Sequence, residues 1–119
     1  MILIVEDDAL ICHMAEMMLQ DLGYETVSAN DADDALSILR SSPHIAALFT
    51  DVYLKVEVHG GCDLANQAIR LQPHLRILYT TGNSVTVEMT ALFPKDARLL
   101  PKPYTQRQLQ DALSLLLAA

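Results

Sequence analysis

The chain has 119 residues, of which 51% are hydrophobic, and it carries 8 Lys and Arg against 15 Asp and Glu, for a net charge of −7. This length predicts one domain whose core buries roughly 65% of the surface that the unfolded chain exposes. The excess of acidic residues argues against direct nucleic-acid binding, which needs Lys and Arg to neutralise phosphates, and no apolar stretch approaches the roughly 18 residues of a membrane span.

The start of the chain and its cysteines predict a cytoplasmic protein. Met1 leads directly into an apolar run, with no basic region or cleavage site before it, so we expect no secretory signal. Two cysteines, Cys12 and Cys62, suit a reducing compartment. Their spacing from His13 and His59 matches no compact zinc site. We expect no disulfide, because the helices that carry the cysteines should pack on opposite faces of a sheet.

The first predicted strand and helix follow directly from the pattern of apolar residues. Ile2–Val5 is a continuous apolar run, as expected for a strand buried on both faces. Asp8 can then cap a helix that Gly23 ends. Helical spacing predicts the residues on its inward face: Ile11, Ala15, Met18 and Leu22.

A second strand and helix lead to the third strand. Tyr24–Ala29 is rich in β-branched and aromatic residues, which favours a strand. Asn30 or Asp31 caps the next helix, which ends before Pro43. Ala46–Thr50 is the third predicted strand. Helical spacing predicts the residues on the inward face of this second helix: Ala32, Ala35, Leu36 and Leu39.

The alternation continues through the middle of the chain. Residues 52–61 form a longer loop, and a helix runs from about Cys62 to Leu71, where Pro73 stops it. Leu75–Thr80 is the fourth strand. A Val- and Thr-rich stretch, Ser84–Phe93, is a weaker helical segment.

The last unit has the clearest helix start. Ala97–Leu100 is the fifth strand, and Thr105 with Gln108 three residues later forms a capping box. The following apolar residues share one helical face: Leu109, Ala112, Leu113 and Leu116. Five successive β/α units predict a doubly wound α/β fold, with a five-stranded parallel sheet in the flavodoxin-like order 2-1-3-4-5 and helices on both faces. No linker or repeat divides residues 1–119.

Chemically active side chains follow four of the predicted strands. Glu6 and Asp7 follow the first strand, Asp51 the third, Thr81 the fourth and Lys102 the fifth. The carboxyl ends of parallel strands form one crevice, so we expect these side chains to converge.

The residue types in this crevice suit a phosphoryl group and a divalent cation. Converging carboxylates repel, which raises pKa values unless a cation intervenes, and hard oxygen ligands suit Mg²⁺. Asp51 could then stay ionised and attack phosphorus, as carboxylates do in forming aspartyl-phosphates. Lys102 and Thr81 would contact the phosphoryl oxygens. Such a transfer needs positioning and charge more than a general base.

Four motifs, in this order along the chain, resemble the receiver domain of the two-component response regulators. The motifs are Ile4-Val5-Glu6-Asp7-Asp8, Thr50-Asp51-Val52, Thr80-Thr81-Gly82 and Lys102-Pro103-Tyr104. Each motif alone is weak, but all four in order are specific, and the resemblance covers essentially the whole chain.

The resemblance implies a role for each acidic residue. Asp51 would accept a phosphoryl group from a histidine kinase or a histidine phosphotransfer protein. Asp7 and Asp51 would ligate Mg²⁺, with Glu6 acting through water and Tyr53 offering its backbone carbonyl. The protein would be a signalling domain and not a metabolic enzyme, catalysing at most its own phosphorylation and dephosphorylation. Its downstream target stays open.

The resemblance also assigns the remaining site residues and shows two departures. Thr81 and Lys102 would engage the phosphoryl group, and the Lys102–Pro103 peptide bond would be cis. Lys55 stands where the family usually has proline, in a loop that is longer than the common form. Leu99 stands where many receivers have a switching aromatic residue.

Two other functions deserve comparison. Phosphohydrolases of the haloacid-dehalogenase type use similar residues, but their nucleophile lies on the first strand and is followed two residues later by a second Asp; here Tyr53 stands at that position. A receiver that acts without phosphorylation is the other alternative, although every required side chain is present. The chain could be a stand-alone receiver or part of a hybrid kinase or longer regulator.

Overall fold

The computed structural model describes residues 1–42, 44–54, 60–82 and 85–118, and strands alternate with helices throughout. The elements in chain order are β1 (Ile2–Val5), α1 (Ala9–Asp21), β2 (Thr26–Ala29), α2 (Ala32–Ser41), β3 (Ala47–Asp51), α3 (Gly60–Leu71), β4 (Arg76–Thr81), α4 (Val87–Thr90), β5 (Arg98–Pro101) and α5 (Gln106–Leu117). All neighbouring strands pair in parallel, in the order β2-β1-β3-β4-β5. The predicted fold class and strand order are confirmed. Within the described ranges, none of the helices combines the length and apolar character needed to cross a bilayer.

Each face of the sheet has its own apolar core. The first core joins the sheet to α2 and α3, where Leu64 is fully buried, and the second joins it to α1 and α5, where Leu113 is fully buried. Burying a leucine side chain contributes about 2 kcal/mol to stability. Cys62 lies in the first core and Cys12 in the second, and both thiols are free. The two faces separate the cysteines as predicted.

The helix starts follow the predicted capping residues. The Asp8 side chain accepts hydrogen bonds from two backbone amides of the first turn of α1. Asp31, and not Asn30, caps α2 by accepting from the amide of Asp34. Thr105 and Gln108 form the complete capping box of α5. These bonds satisfy amides that the first helical turn leaves without partners.

Two helices differ from their predicted form. Ile11 was expected to face inward but is partly exposed, and the buried residues of α1 are Cys12, Ala15 and Leu19. Because α1 is apolar on more than one side, spacing alone did not identify the side that meets the sheet. The helix predicted over Ser84–Phe93 is reduced to the single turn of α4, with Ser84 outside the described residues. After α4, the backbone amides of Leu92 and Phe93 each donate to the carbonyl three residues earlier, which is the tighter 3₁₀ pattern. Pro94 then disfavours helical backbone at Phe93.

Candidate functional site

The carboxyl end of the sheet collects the side chains singled out in the sequence. Asp51 is the last residue of β3 and Thr81 the last residue of β4, whereas Glu6 directly follows β1. The backbone amide of Lys102 donates to the carbonyl of Thr81 over 2.8 Å, which holds the segment after β5 against the end of β4. Glu6, Asp51 and Thr81 are all buried. The polar side chains that follow these strands therefore meet at the carboxyl edge of the sheet.

The ammonium group of Lys102 connects two of these strand ends. Lys102 Nζ donates to Asp51 Oδ2 over 2.8 Å and to Glu6 Oε2 over 3.0 Å. Glu6 and Asp51 are only 5% and 8% exposed. Charge-assisted hydrogen bonds of this length are strong, and a buried carboxylate without such a partner is costly. The sequence predicted that Lys102 would be near Asp51, but not that it would also bind Glu6.

The acid–base properties of the pair follow from burial and from the shared ion pair. Burial raises the pKa of Glu6 above its usual value, and hydrogen bonds from Lys102 and from the amide of Asp8 offset part of this effect. Burial acts to lower the pKa of Lys102, but its bonds to Asp51 and Glu6 outweigh burial and leave that pKa raised. Lys102 is therefore a fixed positive charge at neutral pH.

The second carboxylate oxygen of Asp51 is held by the backbone that follows it. The amide of Tyr53 donates to Asp51 Oδ1 over 3.0 Å, and the amide of Val52 donates to the carbonyl of Thr80 over 2.9 Å. Both oxygens of Asp51 thus have defined partners, one on each side. This arrangement fixes the carboxylate plane before any ligand arrives.

The remaining predicted residues lie around this centre. Asp7 is half-buried and lines a cavity of about 410 Å³ that also borders Glu6 and Glu16. The Lys102–Pro103 peptide bond is cis, as the family resemblance implied. Lys55, the departure noted in the loop after β3, lies outside the described residues.

Carboxylate oxygens that suit Mg²⁺ are present at this edge of the sheet, but they do not form a closed coordination shell. Among the described residues, no group of three or more His, Cys, Asp or Glu side chains has metal-holding geometry. The Glu6 and Asp51 carboxylates bind Lys102 instead. Mg²⁺ usually retains several waters and takes one or two protein carboxylates, so buried oxygen donors at this crevice fit its chemistry.

Leu99, an aliphatic residue, stands where the family resemblance leads us to expect a switching aromatic residue. Leu99 pairs in register with Tyr79 of β4 and is partly exposed. Tyr79 is fully buried, and its ring stacks on Phe93, with 4.2 Å between the ring centroids. This aromatic pair joins β4 to the segment after α4.

Sequence reasoning missed one backbone feature of the site. Gly61, in the first turn of α3, lies against the peptide that follows Asp51. The Gly60-Gly61 pair was noted only as a part of the loop. A glycine pair placed just before a helix with apolar spacing could have indicated close backbone packing.

Replacing Lys102 tests the ion pair through the pH dependence of stability. We expect Lys102→Met to lower the free energy of unfolding by about 3 kcal/mol at neutral pH, because two buried carboxylates lose their counter-charge. The difference should shrink as the pH falls toward and through the raised pKa of Glu6, since protonation removes the uncompensated charge. On the alkaline side, the contribution of Lys102 persists up to the usual lysine pKa and is lost as the pH rises through its higher folded value, because only the protonated amine pairs with the carboxylates.

Urea unfolding at a series of pH values measures this difference. Lys95→Met is the matched control, because Lys95 is exposed. An equal loss of stability in both variants, or a loss for Lys102→Met that does not change with pH, would contradict the ion-pair account.

Comparisons with known proteins agree with this geometry. Residues 2–114 match the family model described as the response regulator receiver domain. The response regulator receiver protein CpdR of Brucella abortus (strain 2308) is 29% identical over 119 residues, which cover 99% of this chain and 97% of CpdR. The probable transcriptional regulator ycf27 of Porphyridium aerugineum is 30% identical over 112 residues, and the match covers 92% of this chain but only 44% of ycf27.

A solved structure shows the same architecture. The crystal structure of a response regulator receiver protein from Sinorhizobium medicae WSM419 superposes with a TM-score of 0.87 at 29% identity, covering 99% of this chain and 94% of the other. The chain is thus similar to proteins of its own size as well as to one part of longer regulators.

Proposed function

Because the chain belongs to the response regulator receiver family of two-component signalling, we propose that Asp51 accepts a phosphoryl group from a histidine kinase or a histidine phosphotransfer protein. The reaction depends on Mg²⁺, and phosphorylation switches the protein–protein contacts of the domain, residues 1–119. The observation that supports this most is the 2.8 Å hydrogen bond from Lys102 to the buried Asp51 carboxylate. It places a fixed positive charge beside a carboxylate at the ligand-binding edge of the sheet.

The chemistry needs no general base, because an ionised carboxylate carries no proton to remove. An Asp51 oxygen supplies the electron pair for the new O–P bond, while the P–N bond of the donor phosphohistidine breaks and its electrons return to the imidazole nitrogen. Lys102 and Thr81 neutralise and hydrogen-bond the phosphoryl oxygens. When bound, Mg²⁺ supplies further positive charge; Asp7, Asp51 and the Tyr53 carbonyl would hold it, with Glu6 acting through water.

A phosphodonor protein needs a surface beside this site, and α1 offers one. Leu10, Met14 and Met17 of α1 are exposed although apolar. A groove of about 450 Å³ beside α1 is lined by Met14, Met18 and Tyr104 and reaches Lys102. A partner seated on this apolar surface would lie next to Lys102 and would present its phosphohistidine to the Asp51 carboxylate that Lys102 binds. Its apolar character favours a protein donor, since a small phosphodonor needs no such surface.

Labelling with a small phosphodonor tests the acceptor residue. We expect acetyl phosphate with Mg²⁺ to label the wild type and Asp21→Asn, whose altered residue is exposed on α1, but not Asp51→Asn. The amide of Asn is a far weaker nucleophile than a carboxylate. Removing Mg²⁺ with a chelator should stop labelling of the wild type. Equal labelling of Asp51→Asn and the wild type would overturn the assignment, and rapid turnover of a chromogenic phosphate ester would favour a hydrolase.

A charge placed on α1 tests the donor surface. Met14 is 50% exposed on α1, and Val87 is 82% exposed on α4. We expect Met14→Glu to slow transfer from a phosphorylated histidine phosphotransfer protein about tenfold, because a carboxylate would have to be desolvated in the interface. Labelling by acetyl phosphate should change less than twofold. Val87→Glu is the matched control and should leave both rates unchanged. If Met14→Glu transfers as fast as Val87→Glu, the donor does not dock on this surface.

A further inference from the structure

Helix α3 begins directly against the backbone of the phosphoacceptor strand. Gly60 and Gly61, its first two residues, are both buried. The amide of Gly61 donates to the carbonyl of Val52 over 3.0 Å. The helix is therefore tied to the residue that lies between Asp51 and Tyr53.

The space at Gly61 has no room for a side chain. A Cβ added there would overlap the carbonyl oxygen of Asp51 and would lie 2.9 Å from both the Asp51 carbonyl carbon and Val52 Cα. All three atoms belong to the backbone, so no rotamer change can relieve the clash. Gly61 does not have the left-handed conformation that requires glycine at Gly23, so its glycine is needed for close approach and not for its dihedral angles.

The peptide that Gly61 touches also determines how the Asp51 carboxylate is held. Two further bonds hold this peptide: the Thr50 hydroxyl donates to the Asp51 carbonyl over 3.1 Å, and the Val52 amide donates to the carbonyl of Thr80. In the next peptide, the Tyr53 amide donates to Asp51 Oδ1. A shift of the Asp51–Val52 peptide would carry the Tyr53 amide with it. The Asp51 oxygen that does not bind Lys102 would then lose its orienting donor.

We propose that Gly61 is a positioning residue for phosphoryl transfer. Its missing side chain leaves room for the Asp51–Val52 peptide, and its amide holds the Val52 carbonyl, so that the next amide, that of Tyr53, orients the Asp51 carboxylate. This inference rests on the proposed function of Asp51. A misplacement of about 1 Å in a reacting group lowers rates on the order of 100-fold, which makes the peptide position a sensitive determinant of the rate.

One test variant and two control variants separate positioning from general loss of stability. Gly61→Ala introduces the clash, whereas a Cβ at Gly23, between α1 and β2, meets nothing within 4 Å, so Gly23→Ala is the glycine-to-alanine control away from the site. Gln67→Gly, at an exposed position of α3, weakens the helix by about 1 kcal/mol and is the stability control. All proteins are compared at a temperature at which each is folded.

The kinetic readout is the saturation curve for acetyl phosphate at constant Mg²⁺. We expect Gly61→Ala to lower the maximal labelling rate at least tenfold and to change the half-saturating concentration less than threefold. Both controls should stay within threefold of the wild type. A readout without phosphorylation is the NMR signal of the Tyr53 amide, which should move upfield in Gly61→Ala because its bond to Asp51 is lost, and should stay in place in the controls.

The outcomes distinguish this inference from the proposed function. If the wild type is not labelled, the proposed function fails. If the wild type is labelled and Gly61→Ala has the same maximal rate and the same Tyr53 signal, the positioning role is wrong. It is also wrong if Gln67→Gly is slowed as much as Gly61→Ala. Should Gly61→Ala not fold, Thr50→Val decides: removing the hydroxyl on the same carbonyl should slow labelling severalfold and shift the Tyr53 signal, and no change in either would overturn the inference.

Discussion

The ion pair of Lys102 with Glu6 and Asp51 is the interaction on which the rest of the site depends. Two buried carboxylates on neighbouring strands would otherwise destabilise the fold, because neither desolvation nor mutual repulsion would be offset. One ammonium group within 3.0 Å of both supplies the charge. The same cation binds the carboxylate that the proposed reaction uses, so stability and reactivity depend on a single side chain.

The sheet makes this ion pair possible. Its order places β1 and β3 side by side, with β4 and β5 following, so that residues far apart along the chain meet at one edge. The amide of Lys102 is bound to Thr81, and the amides of Val52 and Tyr53 are bound to Thr80 and Asp51. On the side of α3, Gly61 lets the helix approach the Asp51 peptide without a side chain between them. Backbone bonds thus orient the carboxylate, and side chains supply its charge environment.

Much of this could be read from the sequence because the signals were local. Buried strands appear as continuous apolar runs, and caps such as Asp8 and Thr105 precede their helices directly. Properties that depend on tertiary packing could not be predicted from the sequence. Ile11 was assigned to the inward face of α1, together with Ala15, Met18 and Leu22, because the helix is apolar on several sides. Helix α4 was predicted too long because the residues after it enter tight turns. The Glu6–Lys102 bond joins residues at opposite ends of the chain, and the packing of Gly61 depends on another strand's backbone.

The carboxyl ¹³C signal of Glu6, followed by NMR over a range of pH in the wild type and in Lys102→Met, tests the ion pair most directly. In the wild type the pKa of Glu6 should lie above its usual value, because burial outweighs the stabilising bond from Lys102. In Lys102→Met it should rise further, because burial would then act without the opposing charge. An unchanged Glu6 titration in Lys102→Met would contradict the account, since Lys102 would then not be bound to that carboxylate.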